Sequence, residues 1–152
     1  MVRLGEARSV QERALFLPVY RDWQFDGLAS FDREAAAEWL RHRILFFNED
    51  HLVIRELSCR AKRLDALKLA PFFMKIDVQG YELPVLESGQ NTLQQHTPIL
   101  LIENPEPKVF SLLAGLGYEP YSYIGGSYTL GGRALPNLFF MTPERFDALR
   151  PD

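Results

Sequence analysis

The sequence predicts an α/β fold with parallel central strands and an antiparallel hairpin at the end, on three observations. First, two apolar runs, Phe72-Phe73-Met74 leading into Lys75-Ile76-Asp77-Val78 and Pro98-Ile99-Leu100-Leu101-Ile102 leading into Glu103, flank a helix-length segment. Short apolar runs bounded by breakers and separated in this way read as strand, crossover and parallel strand. Second, each run finishes on a carboxylate, Asp77 and Glu103. In an open parallel sheet the carboxyl ends of the strands line the crevice that takes ligands, so two acids there point to a site. Third, residues 118–124 and 138–141 read as strands joined by the glycine-containing stretch GGSYTLGGRALPN, the pattern of a hairpin.

The remaining elements follow in order. Val2-Arg3-Leu4 is a short strand, and Ala14-Leu15-Phe16-Leu17 another, ended by Pro18. A chain that starts almost inside a strand suggests a missing upstream segment. Residues 20–31 show no period and read as a loop. Asp32 caps a helix over 33–43, whose Ala36, Trp39 and Leu40 form one apolar face. Residues 52–60 read as a strand with Val53, Leu57 and Cys59 on one side. Leu64, Leu67 and Leu69 form a short helical turn before Pro71. After the strand that ends at Asp77, Gly80 permits a positive φ or a close backbone approach. Pro84 suits a helix first turn, Gly89 interrupts that helix, and Asn91 caps a second short one holding Leu93. Pro105 starts a helix with Val109, Leu112, Leu113 and Leu116 at helical period, stopped by Gly117. Thr142-Pro143-Glu144 begins a final short helix.

Composition sets limits on function. At 152 residues the chain is a single domain, 1–152, able to bury a core, and 47% hydrophobic with 24% charged residues is ordinary for a globular protein. A net charge of −3 argues against a nucleic-acid or membrane-surface partner, both of which need a basic footprint. Arg55, Arg60 and Arg63 are interrupted by Glu56 and read as a solvated face. No apolar run approaches the ~20 residues of a membrane span. The first residues are too polar for a signal peptide, and the single cysteine, Cys59, fits a reducing compartment. The expected location is the cytoplasm. His42, His51 and His96 lack metal-ligand spacing, so no metal is expected. Gly125-Gly126 and Gly131-Gly132 do not join a strand to a helix and read as turns rather than a phosphate loop. The aromatics Trp23, Phe25, Tyr121, Tyr123 and Tyr128 serve either a recognition wall or core packing.

Among the acids, Asp77 and Glu103 either bind a hydroxyl, accept its proton or hold a cation, or else satisfy loop N–H groups and a helix end. Glu82 reaches the same rim or simply suits the first turn of its helix. Lys75, inside an apolar strand, snorkels or pairs with a carboxylate.

The octapeptide Lys75-Ile76-Asp77-Val78-Gln79-Gly80-Tyr81-Glu82, with Leu86, Gly89 and Pro98 through Glu103, resembles the FkbM family of S-adenosylmethionine-dependent methyltransferases. Weaker matches are Leu28-Ala29-Ser30, Leu64-Asp65, Gly117-Tyr118 and Asn137-Leu138-Phe139-Phe140. The resemblance implies a partial class I, Rossmann-like methyltransferase sheet. The strands ending at Asp77 and Glu103 would be its fourth and fifth, and the strands before Phe72 an insertion. The N-terminal strands of the full fold, with the family's glycine-rich cofactor loop and the acid closing the next strand, do not occur in these 152 residues.

By the same resemblance, the reaction is O-methylation of a small-molecule acceptor, a hydroxyl of a sugar or secondary metabolite. Asp77 and Glu103 are then catalytic, and Gln79, Glu82 and Asn137 bind substrate. Ser30 and Asp77 contact the cofactor, S-adenosylmethionine. Gln79 stands where many relatives carry glutamate; its amide positions a substrate but cannot act as a base, which leaves Asp77 as the proton acceptor. For Asn137 the simpler account is a turn-forming residue. The alternative is a non-catalytic fragment or interaction domain whose open sheet edge pairs with another chain, as a homodimer or with a partner supplying the missing half.

Overall fold

The computed structural model describes residues 10–131 and 135–149. Two compact units emerge. One holds the chain up to Arg63 together with Val78–Tyr81, and the other holds Leu64–Asp77 and the chain from Glu82 onward. The expected strand at Val2-Arg3-Leu4 lies outside the described residues.

The first unit is built on a long hairpin. Strand β1 (Val10–Tyr20) pairs antiparallel along its whole length with β3 (Leu52–Lys62), and β2 (Trp23–Gln24) adds a short third strand to β1. Pro18 was expected to end β1 but sits within it. Its carbonyl accepts from Phe25 N–H at 3.0 Å, on the side away from β3, and its ring nitrogen faces the same way. The missing N–H therefore costs no rung of the β1–β3 ladder. The expected loop over 20–31 contains β2, a 3-10 turn at Asp26–Leu28 and a bridge from Ser30 to Phe16.

Helix α1 (Arg33–Arg43) starts as the sequence predicts, with Asp32 accepting from the N–H groups of Glu34 and Ala35 at 2.8 and 3.1 Å. Its buried face is Ala36, Ala37 and Leu40, whereas Trp39 is 48% exposed. Ala37 takes the place expected for Trp39 because the inward stripe turns one residue earlier. On β3 the side expected to be apolar is open, with Val53 and Leu57 both exposed.

The second unit is a five-stranded mixed sheet in the order β4-β5-β8-β6-β7, comprising β4 (Phe73–Ile76), β5 (Ile99–Glu103), β6 (Glu119–Ile124), β7 (Ser127–Leu130) and β8 (Asn137–Met141). Strands β4 and β5 are parallel, as their spacing predicts, and β5 pairs antiparallel with β8. The stretch expected to be one long turn contains β7. Gly125 and Gly126, at φ +60° and +87°, close a two-residue hairpin between β6 and β7, and β8 pairs with the other edge of β6.

Helices α2 (Glu82–Glu87), α3 (Gln90–His96), α4 (Pro107–Gly115) and α5 (Pro143–Asp147) complete the unit. Helix α4 begins at Pro107 rather than Pro105, the proline occupying the first position, where its missing N–H is harmless. Its Val109 and Leu113 are fully buried, as are Leu86, Leu93, Leu100 and Ile102. Each such side chain contributes about 1.5–3 kcal/mol on leaving water.

Helix α3 is capped from outside rather than by Asn91. Asp65 accepts from the N–H and hydroxyl of Thr92, both at 2.8 Å, and from the Asn91 side chain at 2.9 Å. Gly89, just before α3, packs against Leu64, whose side chain a Cβ at Gly89 would overlap. At the other end, Arg145 donates to the carbonyls of Thr97 and His96, each at 2.9 Å. Among the described residues no helix is long and apolar enough to cross a membrane.

Candidate active site

Three acids and a lysine meet at the carboxyl ends of β4 and β5. The parallel register pairs Lys75 with Leu101 and Ile76 with Ile102, so one further step sets Asp77 beside Glu103. Lys75 and Asp77 lie two residues apart in extended chain and share a face. Their side chains form an ion pair of 2.7 Å between Lys75 Nζ and Asp77 Oδ2. Across the antiparallel ladder, Glu103 faces Asn137 directly. Opposite residues of such a pair project from the same side of the sheet. Glu82, in the first turn of α2, is 7% exposed.

The electrostatics follow from this crowding. A side-chain hydrogen bond with Asp77 pushes the Glu103 carboxyl up from its ordinary value; burial and the charges of Asp77 and Glu82 add to the rise, and Lys75 opposes it. The hydrogen bond and charge of Asp77 in turn raise the Lys75 ammonium, which stays charged. Of the two hydrogen-bonded carboxyl groups, Glu103 is the one whose protonated form the surroundings favour. The sequence suggested that Lys75 snorkels or pairs with a carboxylate, and it pairs.

Gln79 and Ser30 come together in the first unit. The strand-to-helix link turns through two successive positive φ angles, +48° at Gln79 and +86° at Gly80. Glycine takes such a conformation freely, whereas glutamine is held there against its preference. Ser30 contributes to that hold: its hydroxyl donates to the Gln79 carbonyl at 3.0 Å and accepts from Asp32 N–H at 3.1 Å. At 1% exposure, that hydroxyl is committed to the bend. Phe31 packs on Tyr81, with ring centroids 4.7 Å apart.

The structure thus brings together Asp77, Glu103, Glu82 and Asn137 of the expected site residues, and separately joins Ser30 to Gln79. Sequence reading missed Asn104, which follows Glu103 at φ +43° and donates its N–H to the Pro136 carbonyl, fixing the end of β5 against the start of β8. The available signal was asparagine's tolerance of left-handed backbone just past an apolar run. Among the described residues, no group of three or more His, Cys, Asp or Glu is arranged to hold a metal ion.

The fold is a mixed α/β sheet whose parallel strands end in interacting acids, and strand ends of this kind are where open α/β sheets take ligands. The model of the FkbM methyltransferase domain matches residues 33–120, more than half of the chain, and the protein belongs to that family. The matched span includes Asp77, Gln79, Glu82 and Glu103, while Ser30 and Asn137 lie outside it. Neither the curated proteins nor the solved structures provide a match to the chain.

Proposed function

We propose that this methyltransferase-family chain is an S-adenosylmethionine-dependent O-methyltransferase acting on a hydroxyl of a sugar or secondary metabolite, with Asp77 as the proton acceptor. The observation that carries this reading is the hydrogen-bonded pair Asp77–Glu103, with Lys75 at 2.7 Å, at adjoining strand ends. The strand order β4-β5-β8-β6 and the parallel β4–β5 pair also suit the second half of a class I methyltransferase sheet. The absence of a second cysteine places no demand on an oxidising compartment, which favours the cytoplasm.

S-adenosylmethionine, when bound, supplies a methyl group on a sulfonium, ready for in-line displacement. Of the two residues expected to hold it, Asp77 presents a reachable carboxylate, 30% exposed at the side chain, suited to a hydroxyl or ammonium group. Ser30 has its hydroxyl engaged with Gln79 and Asp32, so its part is to hold the bend after Asp77. At the acceptor, Asp77 takes the hydroxyl proton as the oxygen becomes nucleophilic. Glu103, its carboxyl raised by the hydrogen bond with Asp77, donates that bond in its protonated form and limits the negative charge in the site. Lys75 offsets the charge of Asp77 before the proton arrives. Asn137, facing Glu103, orients the acceptor through amide hydrogen bonds.

The test is calorimetric titration of S-adenosylmethionine into the full chain, followed by methyl-transfer assays on a panel of hydroxylated acceptors. Micromolar binding weakened by Asp77→Ala is expected, and Asp77→Asn should lower turnover by about 10²-fold or more, the usual share of a general base. Absence of binding by the folded chain would defeat the catalytic reading for these residues alone.

That outcome would favour a second reading with its own observation. Among the described residues, β4 is the terminal strand of its sheet, and Phe72 and Phe73 beside that edge are 59% and 47% exposed. A terminal strand with exposed aromatics is a template for a strand from another chain, either a second copy or a partner.

A further inference from the structure

Strand β3 ends the sheet of the first unit: the order is β2-β1-β3, so among the described residues its outer edge carries no strand. That edge is 11 residues long, about 36 Å at ~3.3 Å per residue, and holds neither proline nor glycine to interrupt a new pairing. Which of its backbone groups face outward follows from β1. The carbonyl of Pro18, and both the N–H and the carbonyl of Phe16, bond to Phe25 and Ser30 on the side away from β3. The alternate residues Arg13, Leu15, Leu17 and Val19 therefore bond to β3, and their partners Cys59, Leu57, Arg55 and Val53 bond back. This leaves the N–H and C=O groups of Ile54, Glu56, Ser58, Arg60 and Lys62 turned outward.

The side chains along this edge carry a pattern that matches itself. Glu56, Ser58 and Arg60 are exposed, and neither Glu56 nor Arg60 forms an ion pair with another described residue. Two copies of β3 pair antiparallel about a two-fold axis when outward residues face outward residues. Charge then selects the register. Centring on Ser58 puts Glu56 opposite Arg60 of the second copy, twice by symmetry, and pairs residues 54–62 of each copy. Centring on Glu56 or on Arg60 sets like charges face to face, and centring on Leu57 puts Glu56 opposite a serine. Centring on Cys59 sets Glu56 opposite Lys62 but shortens the overlap to residues 56–62. In the Ser58 register, Leu57, 43% exposed, meets Cys59 of the second copy on the opposite face. A strand that supplies both members of the charge pair selects its own copy as partner.

We propose that β3 is a homodimerisation edge, paired antiparallel with β3 of a second copy about Ser58. The pairing joins the three-stranded sheets of the two copies into one continuous sheet. It uses neither the β4 edge nor the acids at Asp77 and Glu103, and it is independent of any methyl-transfer role.

The test is sedimentation velocity on the full chain, on two charge-reversed variants and on their mixture. The parent should form a concentration-dependent dimer in the micromolar range. Glu56→Arg and Arg60→Glu should each weaken it by about tenfold, because both symmetry-related pairs turn from attractive to repulsive. An equimolar mixture of the two variants should regain the parent's association, as a heterodimer in which both pairs are again opposite in charge. Both side chains are exposed, so the circular dichroism spectra should match the parent's. A parent that stays monomeric would overturn the proposal, as would variants that dimerise like the parent, the result expected of association through β4 alone. A mixture that associates no more tightly than its components would overturn it too.

Discussion

Two carboxyl groups at the ends of adjacent strands repel each other unless one of them holds a proton, and the molecule resolves this unequally. Asp77 has the Lys75 ammonium at 2.7 Å, while Glu103 is raised chiefly by its hydrogen bond with Asp77. The sign for stability follows. A carboxyl raised by folding favours the folded state below its ordinary pKa, and that contribution is lost as pH rises through the raised value. Glu103→Gln keeps a donor for Asp77 and removes the titration. The variant should melt about 1–3 °C above the parent at pH 7, converge with it near pH 4, and show a flatter stability profile between. Thermal denaturation across that range checks this, and an unchanged pH profile would mean that the two acids do not share a proton. Both acids were legible in the sequence because each closes an apolar run. The pairing of Glu103 with Asn137 was not, since it depends on the register of strands 34 residues apart in the chain.

At the scale of the element, α3 shows why local signals sometimes point to the wrong cap. Asn91 is a plausible capping residue by type, yet Gly89 occupies the cap position and Asp65, 26 residues away, supplies the oxygens. Burial pushes the Asp65 carboxyl up, but the hydrogen bonds from Thr92 and Asn91 outweigh it and leave the group below its ordinary value. Asp65 therefore stabilises the fold above its unfolded pKa, and the contribution fades as pH falls through the depressed value. Replacing it with alanine should cost about 0.5–2 kcal/mol at neutral pH, as loss of a cap does, and less in acid. Urea denaturation at pH 7 and pH 3 measures both; an equal cost at the two pH values would contradict the capping role. Helix α1, whose cap lies next to it in sequence, could be read directly from Asp32. Strand β7 could not, because four residues between glycine pairs look the same whether they form a strand or part of a long turn.

At the scale of the whole molecule, composition and periodicity indicated the α/β class, the parallel β4–β5 pair and the β6–β8 pairing. They missed how far β1 extends, because a proline normally stops a strand and only the direction of its ring nitrogen shows that it need not. The same sheet-level view carries a last prediction. In the second unit β5, β8 and β6 have strands on both sides, and β7 ends the sheet with a four-residue strand. Strand β4 ends it with Phe73 47% exposed, two residues from Lys75, whose charge is paired with Asp77. If that edge takes a second copy, sedimentation velocity should show a concentration-dependent dimer in the micromolar range. Phe73→Lys should weaken the dimer by about tenfold, as loss of an aromatic anchor does, without changing the circular dichroism spectrum. A parent chain that sediments as a soluble monomer throughout that range would refute pairing with a second copy and leave the edge to a different partner.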